Sequence, residues 1–194
     1  MRVFVLNTGR CGSMTTIRAC EHLTNYTAGH ETRTGGIGDG RLDYPDEHVE
    51  ADNRLSWFLG DVGERYGDEP LYVHLRRDPE QVAASFLRRW RSWSSNPTGS
   101  SMVRAFAHGL VIHNSQWPEE ERLDVCRFYV RTVTKNIETF LADKTNVMTV
   151  WLEEASIWFP MLWDRIGGEG DVGAATAEFG VRHNARRAPL SGQA

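Results

Sequence analysis

The sequence predicts an α/β fold, in which a parallel sheet of about four to five strands is flanked by helices. Short apolar runs alternate along the chain with longer segments of helical periodicity, the pattern of parallel strands joined by crossover helices. The first run, VFVL, leads directly into the glycine turn GRCGS and then into the helix-like segment MTTIRACEHL. The length of 194 residues predicts a single domain spanning 1–194.

The elements follow in order from local patterns. Residues 2–7 are expected as the first strand and 13–23 as the first helix, and a short second strand should end near His30. The segment TRTGGIGDGRLDYPDE is rich in glycine and charge, so we expect a mobile loop there that acts as a lid. The remaining expected elements are helices over 47–66, 79–91, 101–112 and 119–142, strands over 70–75 and 146–152, and a last helix ending near residue 166.

The helix over 79–91 carries the clearest start signal. Asp78 is suited to cap it, and Pro79 fits the first helical position, where no backbone N–H is needed.

The composition indicates an ordinary globular core, with 40% apolar and 25% charged residues. No apolar run approaches the ~18 residues that a membrane span requires, so no membrane span is expected. Three cysteines at unpatterned spacing favour reduced thiols and a cytoplasmic setting.

The net charge of −4 argues against general nucleic-acid binding, which normally needs a broad basic face. The arginines are nevertheless bunched in two segments, 76–91 and 182–187. Local arginine clusters in an acidic chain predict a small polyanionic ligand.

The polar groups gather at the carboxyl ends of the expected strands, where parallel α/β sheets bind their ligands. The turn 8–13, the pair His30 and Glu31, and the segment 76–78 all stand at such ends.

A strand, a glycine turn and a helix form a phosphate cradle of backbone N–H groups. No lysine follows Gly12, so the turn is not the GxxxxGK[ST] loop of nucleotide triphosphatases. Catalysis without a metal, with arginine as the electrophilic group, is therefore expected.

Two motifs, GRCGS and YVHLRRDPEQVAASF, resemble the sulfotransferase family, whose members take a sulfuryl group from 3′-phosphoadenosine 5′-phosphosulfate. The resemblance implies a phosphate-loop architecture like that of phosphate-loop nucleotide triphosphatases. It also implies that the 5′-phosphosulfate is held by the loop residues Arg10, Cys11, Gly12, Ser13, Met14 and Thr15. Met14 departs from the family pattern, in which a second hydroxyl usually stands at this place; Thr15, Thr16 or backbone N–H groups are the alternatives for that contact.

The second motif implies the contacts to the 3′-phosphate of the donor. Arg77 ends a strand and is followed by Asp78 and Pro79, with Ser85 eight positions after the arginine. Arginine can fork onto a phosphate, and a serine two turns into the helix can present its hydroxyl to the same group.

A third segment, GHETR, resembles a segment of the tyrosylprotein sulfotransferases. The resemblance implies that Glu31 is the general base and that Arg33 contacts the sulfate or the acceptor. The attacking hydroxyl must lose its proton, and a carboxylate within hydrogen-bond reach can accept it. His30 is the rival base, since histidine serves in other branches of the family.

Two weaker features complete the expected site. VRHNARRAP resembles the C-terminal segment that returns to the donor in many members, which implies Asn184 and either Arg186 or Arg187 as contacts to phosphate or adenine, with a disordered basic tail as the alternative. Trp90 lies in a tryptophan-rich region and offers an aromatic face for an acceptor, with core packing as the alternative.

The resulting hypothesis is sulfuryl transfer to the hydroxyl of a small molecule, glycan or tyrosine-like acceptor. Two alternatives stay open: a nucleotide or small-molecule kinase on a related fold, and a non-catalytic module that binds adenosine bisphosphate or another polyanion.

Overall fold

Five strands pair into one fully parallel sheet in the computed structural model, which describes residues 1–91, 101–110 and 117–181. Their order across the sheet is β2–β3–β1–β4–β5. The strands are β1 (Arg2–Leu6), β2 (Thr27–His30), β3 (His48–Ala51), β4 (Leu71–Arg76) and β5 (Val147–Trp151). The expected α/β class and the expected four to five strands are therefore confirmed, with five strands.

Helices connect the strands and cover the sheet. The α-helices are α1 (Ser13–Cys20), α2 (Leu59–Tyr66), α3 (Pro79–Arg91), α4 (Ser101–Ala105), α5 (Arg122–Leu141), α6 (Ala155–Arg165) and α7 (Val172–Ala177). A π turn (Phe106–Leu110) continues α4, and the described 3₁₀ turns are Gly38–Arg41, Asn53–Trp57, Glu119–Glu121, Leu152–Glu154 and Glu178–Gly180.

The direction of the crossovers places the helices on opposite faces. The connection from β1 to β2 passes over β3, whereas the connection from β3 to β4 passes over β1 in the other direction. Because crossovers between parallel strands are right-handed, α1 and α2 lie on different faces. The packing agrees, since α1 contacts α7 whereas α2 and α3 contact α5. The chain therefore leaves β1 and β4 in opposite directions, which opens a crevice at their carboxyl ends.

The start of α3 matches the sequence expectation. The Asp78 carboxylate accepts a hydrogen bond from the backbone N–H of Gln81 at 2.8 Å, and Pro79 is the first helical residue. Helix α3 thus begins directly after Arg77 and Asp78, and it places Ser85 beside the crevice.

The helix expected over 47–66 is wrong in its first part, because His48–Ala51 forms β3, which pairs with β2 on one side and β1 on the other. All four side chains of this strand are buried, including His48 and Glu50. Buried polar residues hide the alternation of apolar and polar side chains that normally marks a strand. Their partners lie elsewhere in the chain, so the local sequence does not show why they are buried.

The segment expected as a mobile lid is anchored to the core. Arg41 ends the turn Gly38–Arg41 and is buried, with Nη2 at 2.5 Å from the Asp52 carboxylate and Nη1 donating to the Tyr44 hydroxyl. Burial raises the pKa of Asp52, against the opposing effects of the Arg54 backbone N–H and the Arg41 charge. The buried pair therefore ties residues 38–44 to the end of β3.

A helix that crosses a membrane must be both long and apolar. Within residues 1–91, 101–110 and 117–181, no helix is both long and apolar enough to cross a membrane.

Removing the carboxylate of Asp52 should destabilise the fold strongly. Asp52→Ala leaves the Arg41 guanidinium buried without its counter-charge, and we expect a loss of about 3 kcal/mol or more in the free energy of unfolding. Asp43→Ala is the matched control, because Asp43 pairs with Arg65 at 2.6 Å but is 67% exposed; it should cost less than about 1 kcal/mol. Urea unfolding of both variants measures the difference, and equal losses would contradict a special role for the buried pair.

Candidate active site

The turn after β1 has an unusual backbone. Gly9, Arg10 and Gly12 all have positive φ, at 81°, 62° and 89°. A side chain at Gly9 would collide with Asn53, and one at Gly12 would collide with Leu152. Glycine is therefore required at both places, and Arg10 adopts the left-handed conformation between them.

Buried hydrogen bonds hold this turn. The Asn7 side chain accepts from the backbone N–H of Gly9 at 2.8 Å and donates to the Val5 carbonyl at 3.0 Å. The Tyr129 hydroxyl donates to the Thr8 carbonyl at 3.0 Å, which links the turn to α5. The turn is thus fixed from β1 and from a helix far along the chain.

The turn and the first turn of α1 present a row of backbone donors. Among the described residues, no group accepts a hydrogen bond from the backbone N–H of any residue from Cys11 to Thr15. The next amide, that of Thr16, donates to the Gly12 carbonyl at 2.9 Å and starts the helical pattern. Consecutive free N–H groups at a helix start form a concave site that favours an anion.

The structure brings the two sequence motifs together across this site. Arg10 Nε donates to Ser85 Oγ at 3.0 Å, and Arg77 Nη1 donates to the Arg10 carbonyl at 3.3 Å. Ser85 Oγ accepts the bond from Arg10, so the proton of its hydroxyl is available for another acceptor.

The charge around Arg10 is strongly positive. Burial, followed by the charges of Arg89, Arg77 and Arg88, lowers the pKa of Arg10 to about 10. No carboxylate among the described residues forms an ion pair with Arg10. Arg77 Nε is buried without a hydrogen bond and lies 3.9 Å from Glu153. This arrangement of cations favours an anion beside Arg10 and Ser85.

His30 and Glu31 lie on the opposite side of the turn, at the end of β2. His30 Nε2 is 3.1 Å from Ser13 Oγ, so the imidazole contacts the first residue of α1. Glu31 has a positive φ of 58°, and its Oε2 lies 2.6 Å from Arg54 Nη1. The contact is an ion pair without hydrogen-bond geometry, and neither carboxylate oxygen of Glu31 makes a hydrogen bond within the described residues.

A buried glutamate fixes the backbone next to Glu31. Glu50 is fully buried and accepts from the Thr32 backbone N–H at 2.8 Å and from the Thr32 hydroxyl at 2.7 Å. His48 Nε2 lies 3.0 Å from the same carboxylate. Glu50 and Arg54 are thus the residues that orient Glu31, and the sequence pattern does not reveal either because it predicts a helix over their segment.

The two acceptor contacts expected from the sequence, Arg33 and Trp90, differ in exposure. Arg33 is exposed on the turn that follows Glu31. Trp90 is only 7% exposed, with its ring against His108 and the Arg122 guanidinium. This burial favours core packing, the alternative to stacking on an acceptor.

The remaining expected contacts differ in exposure. Met14 and Thr15 lie half-buried on the first turn of α1. Cys11 is buried beneath the turn, where its Sγ lies 3.1 Å from Thr8 Oγ1, and burial raises the pKa of its thiol. Cys11 therefore offers its backbone N–H rather than a thiolate. Asn184 and Arg186 lie outside the described residues.

The described part of the chain contains no group of three or more His, Cys, Asp or Glu side chains that could hold a metal ion. The donors that this site presents to a ligand are backbone N–H groups, guanidinium groups and hydroxyls.

Comparisons of the chain with protein-family models, with curated proteins and with solved structures found no match.

Proposed function

We propose that the protein is a sulfotransferase that moves a sulfuryl group from 3′-phosphoadenosine 5′-phosphosulfate to an acceptor hydroxyl. The observation that carries the proposal is the hydrogen bond from Arg10 to Ser85, which joins the two motifs of the sulfotransferase resemblance in one cationic crevice. The acceptor class is a small molecule, a glycan or a tyrosine-like hydroxyl.

The chemistry of the site fits a donor with two anionic ends. The free N–H groups of residues 11–15 suit the phosphosulfate, which bears negative charge on several oxygens. Arg77 and Ser85 suit the 3′-phosphate, because the Arg77 Nε lacks a hydrogen bond and the Ser85 hydroxyl retains its proton for donation.

The proposed reaction is an in-line displacement at sulfur. Glu31 accepts the proton of the acceptor hydroxyl as its oxygen forms the new bond to sulfur. Arg10 and the backbone N–H groups of the turn stabilise the negative charge that develops when the bond between sulfur and the bridging phosphate oxygen breaks. The donor supplies the activated sulfuryl group and leaves as adenosine 3′,5′-bisphosphate, so the protein contributes position and electrostatics.

Arg54 has a defined part in this mechanism. Its contact with Glu31 Oε2 holds the carboxylate in one orientation and leaves Oε1 for the acceptor proton. The same contact favours the second candidate, a non-catalytic module that binds adenosine 3′,5′-bisphosphate, since in such a module Glu31 would serve only as the partner of Arg54.

Donor binding should depend on Arg77. Adenosine 3′,5′-bisphosphate should raise the melting temperature, because a ligand that binds only the folded state stabilises it. Arg77→Ala should weaken its binding by about 2 kcal/mol, since a charge-assisted contact to phosphate is lost. Titration calorimetry with adenosine 5′-monophosphate as a second ligand isolates the 3′-phosphate, because its affinity should change much less in the variant.

Arg76→Ala is the matched control for this experiment. Arg76 is the neighbouring residue but pairs with Glu138 and stacks on Trp151, so its loss should leave nucleotide binding unchanged. Absence of any thermal shift with millimolar adenosine 3′,5′-bisphosphate, together with binding of Mg²⁺ and ATP, would replace this proposal with the kinase alternative.

Removing the base should affect turnover rather than donor affinity. Glu31→Gln preserves size but cannot accept a proton, and we expect turnover to fall by about 100-fold or more. Mass detection of the sulfated product gives the rate, and calorimetry gives the affinity for adenosine 3′,5′-bisphosphate. Glu47→Gln is the matched control: Glu47 also has a positive φ, of 50°, but precedes β3 at the opposite edge of the sheet.

The same assay separates the two candidate bases. His30→Ala should reduce turnover less than Glu31→Gln, because His30 contacts Ser13 and shapes the turn. Normal turnover in Glu31→Gln with collapse in His30→Ala would transfer the role of base to the histidine. Donor binding without sulfated product for any hydroxyl acceptor in a broad panel would favour the binding module.

A further inference from the structure

A second cavity of about 560 Å³ lies behind the turn, between the carboxyl end of β4, the start of α3 and one side of α5. Thr8 and Cys11 line its inner end, whereas His30, Glu31 and Ser85 do not line it. Its volume is in the range of ordinary small-molecule sites. Arg77, which the proposed donor contacts, also lines the cavity, so this space adjoins the proposed donor site.

The cavity contains a buried polar side chain without a partner. His74 is 3% exposed, lines the cavity and forms no hydrogen bond within the described part of the chain. Burial, together with the charge of Arg76, lowers the pKa of His74 to about 4. At neutral pH the ring is therefore uncharged and offers one donor and one acceptor. Buried polar groups normally have hydrogen-bond partners, so this histidine points to a polar group of a ligand.

The charges of the lining are unbalanced. Five cationic side chains stand against three carboxylates. Arg127 pairs with Glu80 and Asp124, and Glu138 pairs with both Arg76 and Lys135. Arg131 is different: it lies 5.2 Å from the centre of the Phe128 ring and forms no ion pair with a described carboxylate. The cavity thus has a free cation on its wall and favours a monoanion.

The same wall is aromatic. Phe128 is 42% exposed, which is unusual for a phenylalanine in the middle of a long helix. With Leu75 and Val130 it forms an apolar surface beside Arg131. A flat apolar body would cover this surface and remove it from water.

We propose that this cavity is a second ligand site that binds a small aromatic carboxylate. The carboxylate pairs with Arg131, the aromatic body packs against Phe128, and a hydroxyl or carbonyl oxygen on the far side of the ring system hydrogen-bonds to His74. The site adjoins the proposed donor site through Arg77, but none of its three proposed ligand contacts takes part in the transfer reaction.

Calorimetric titration with 6-hydroxy-2-naphthoate tests this site, with 6-hydroxy-2-naphthamide as the uncharged comparison. The protein is first saturated with adenosine 3′,5′-bisphosphate, so that the anion-binding turn is occupied. The carboxylate should bind at least about 10-fold more tightly than the amide, because a hydrogen bond to a charged group is lost in the amide. Arg131→Gln should abolish that preference, and Arg65→Gln on α2, away from the cavity, should preserve it.

His74→Phe tests the polar end of the site. It should weaken both naphthalene ligands about equally, because both carry the 6-hydroxyl, and its melting temperature establishes that it folds. If it does not fold, the Arg131→Gln result decides alone. Equal affinity for carboxylate and amide, unchanged preference in Arg131→Gln, or binding of the carboxylate only when adenosine 3′,5′-bisphosphate is absent would each overturn the proposal.

Discussion

The left-handed turn after β1 is the constraint on which the rest of the site depends. With Gly9, Arg10 and Gly12 at positive φ, the chain reverses sharply enough for the next five N–H groups to remain free of internal partners. The same reversal directs the Arg10 side chain toward α3 rather than toward solvent. An ordinary turn would satisfy some of these donors internally and would separate Arg10 from Ser85.

Two buried carboxylates on and after β3 give the other half of the site its shape. Glu50 holds the Thr32 backbone, and Asp52 accepts from the Arg54 backbone N–H at 2.8 Å while it pairs with Arg41. Glu31 therefore lies between the Thr32 backbone, which Glu50 fixes, and Arg54, whose backbone Asp52 fixes. Burying a carboxylate costs free energy unless its oxygens form hydrogen bonds or ion pairs. The presence of two such carboxylates beside Glu31 indicates that the position of its turn is important for function.

The sequence predicts the structure correctly where a few neighbouring residues determine it. The apolar run of β1, the glycine turn and the Asp78–Pro79 start of α3 are each determined by a few neighbouring residues, and all were predicted close to their observed positions. The sequence does not predict the structure where burial depends on partners that lie far away in the chain. His48, Glu50 and Asp52 are buried because Thr27, Thr32 and Arg41 meet them from other segments. Missing β3 also meant missing Arg54, and the burial of Trp90 likewise depends on its contacts with His108 and Arg122.

The contacts that complete the turn after β1 join distant parts of the chain. Arg10 and Ser85 are 75 residues apart, and Thr8 and Tyr129 are 121 residues apart. Pairings of such long range form late in folding, because the entropy of closing the intervening loops must be overcome first. A nascent chain that has formed β1, α1 and β2 would already have the glycine turn but not the serine, the second arginine or the tyrosine that complete it. The cluster of Arg10, Arg77, Ser85 and the N–H groups of the turn is thus complete only when α3 and α5 have docked on the sheet.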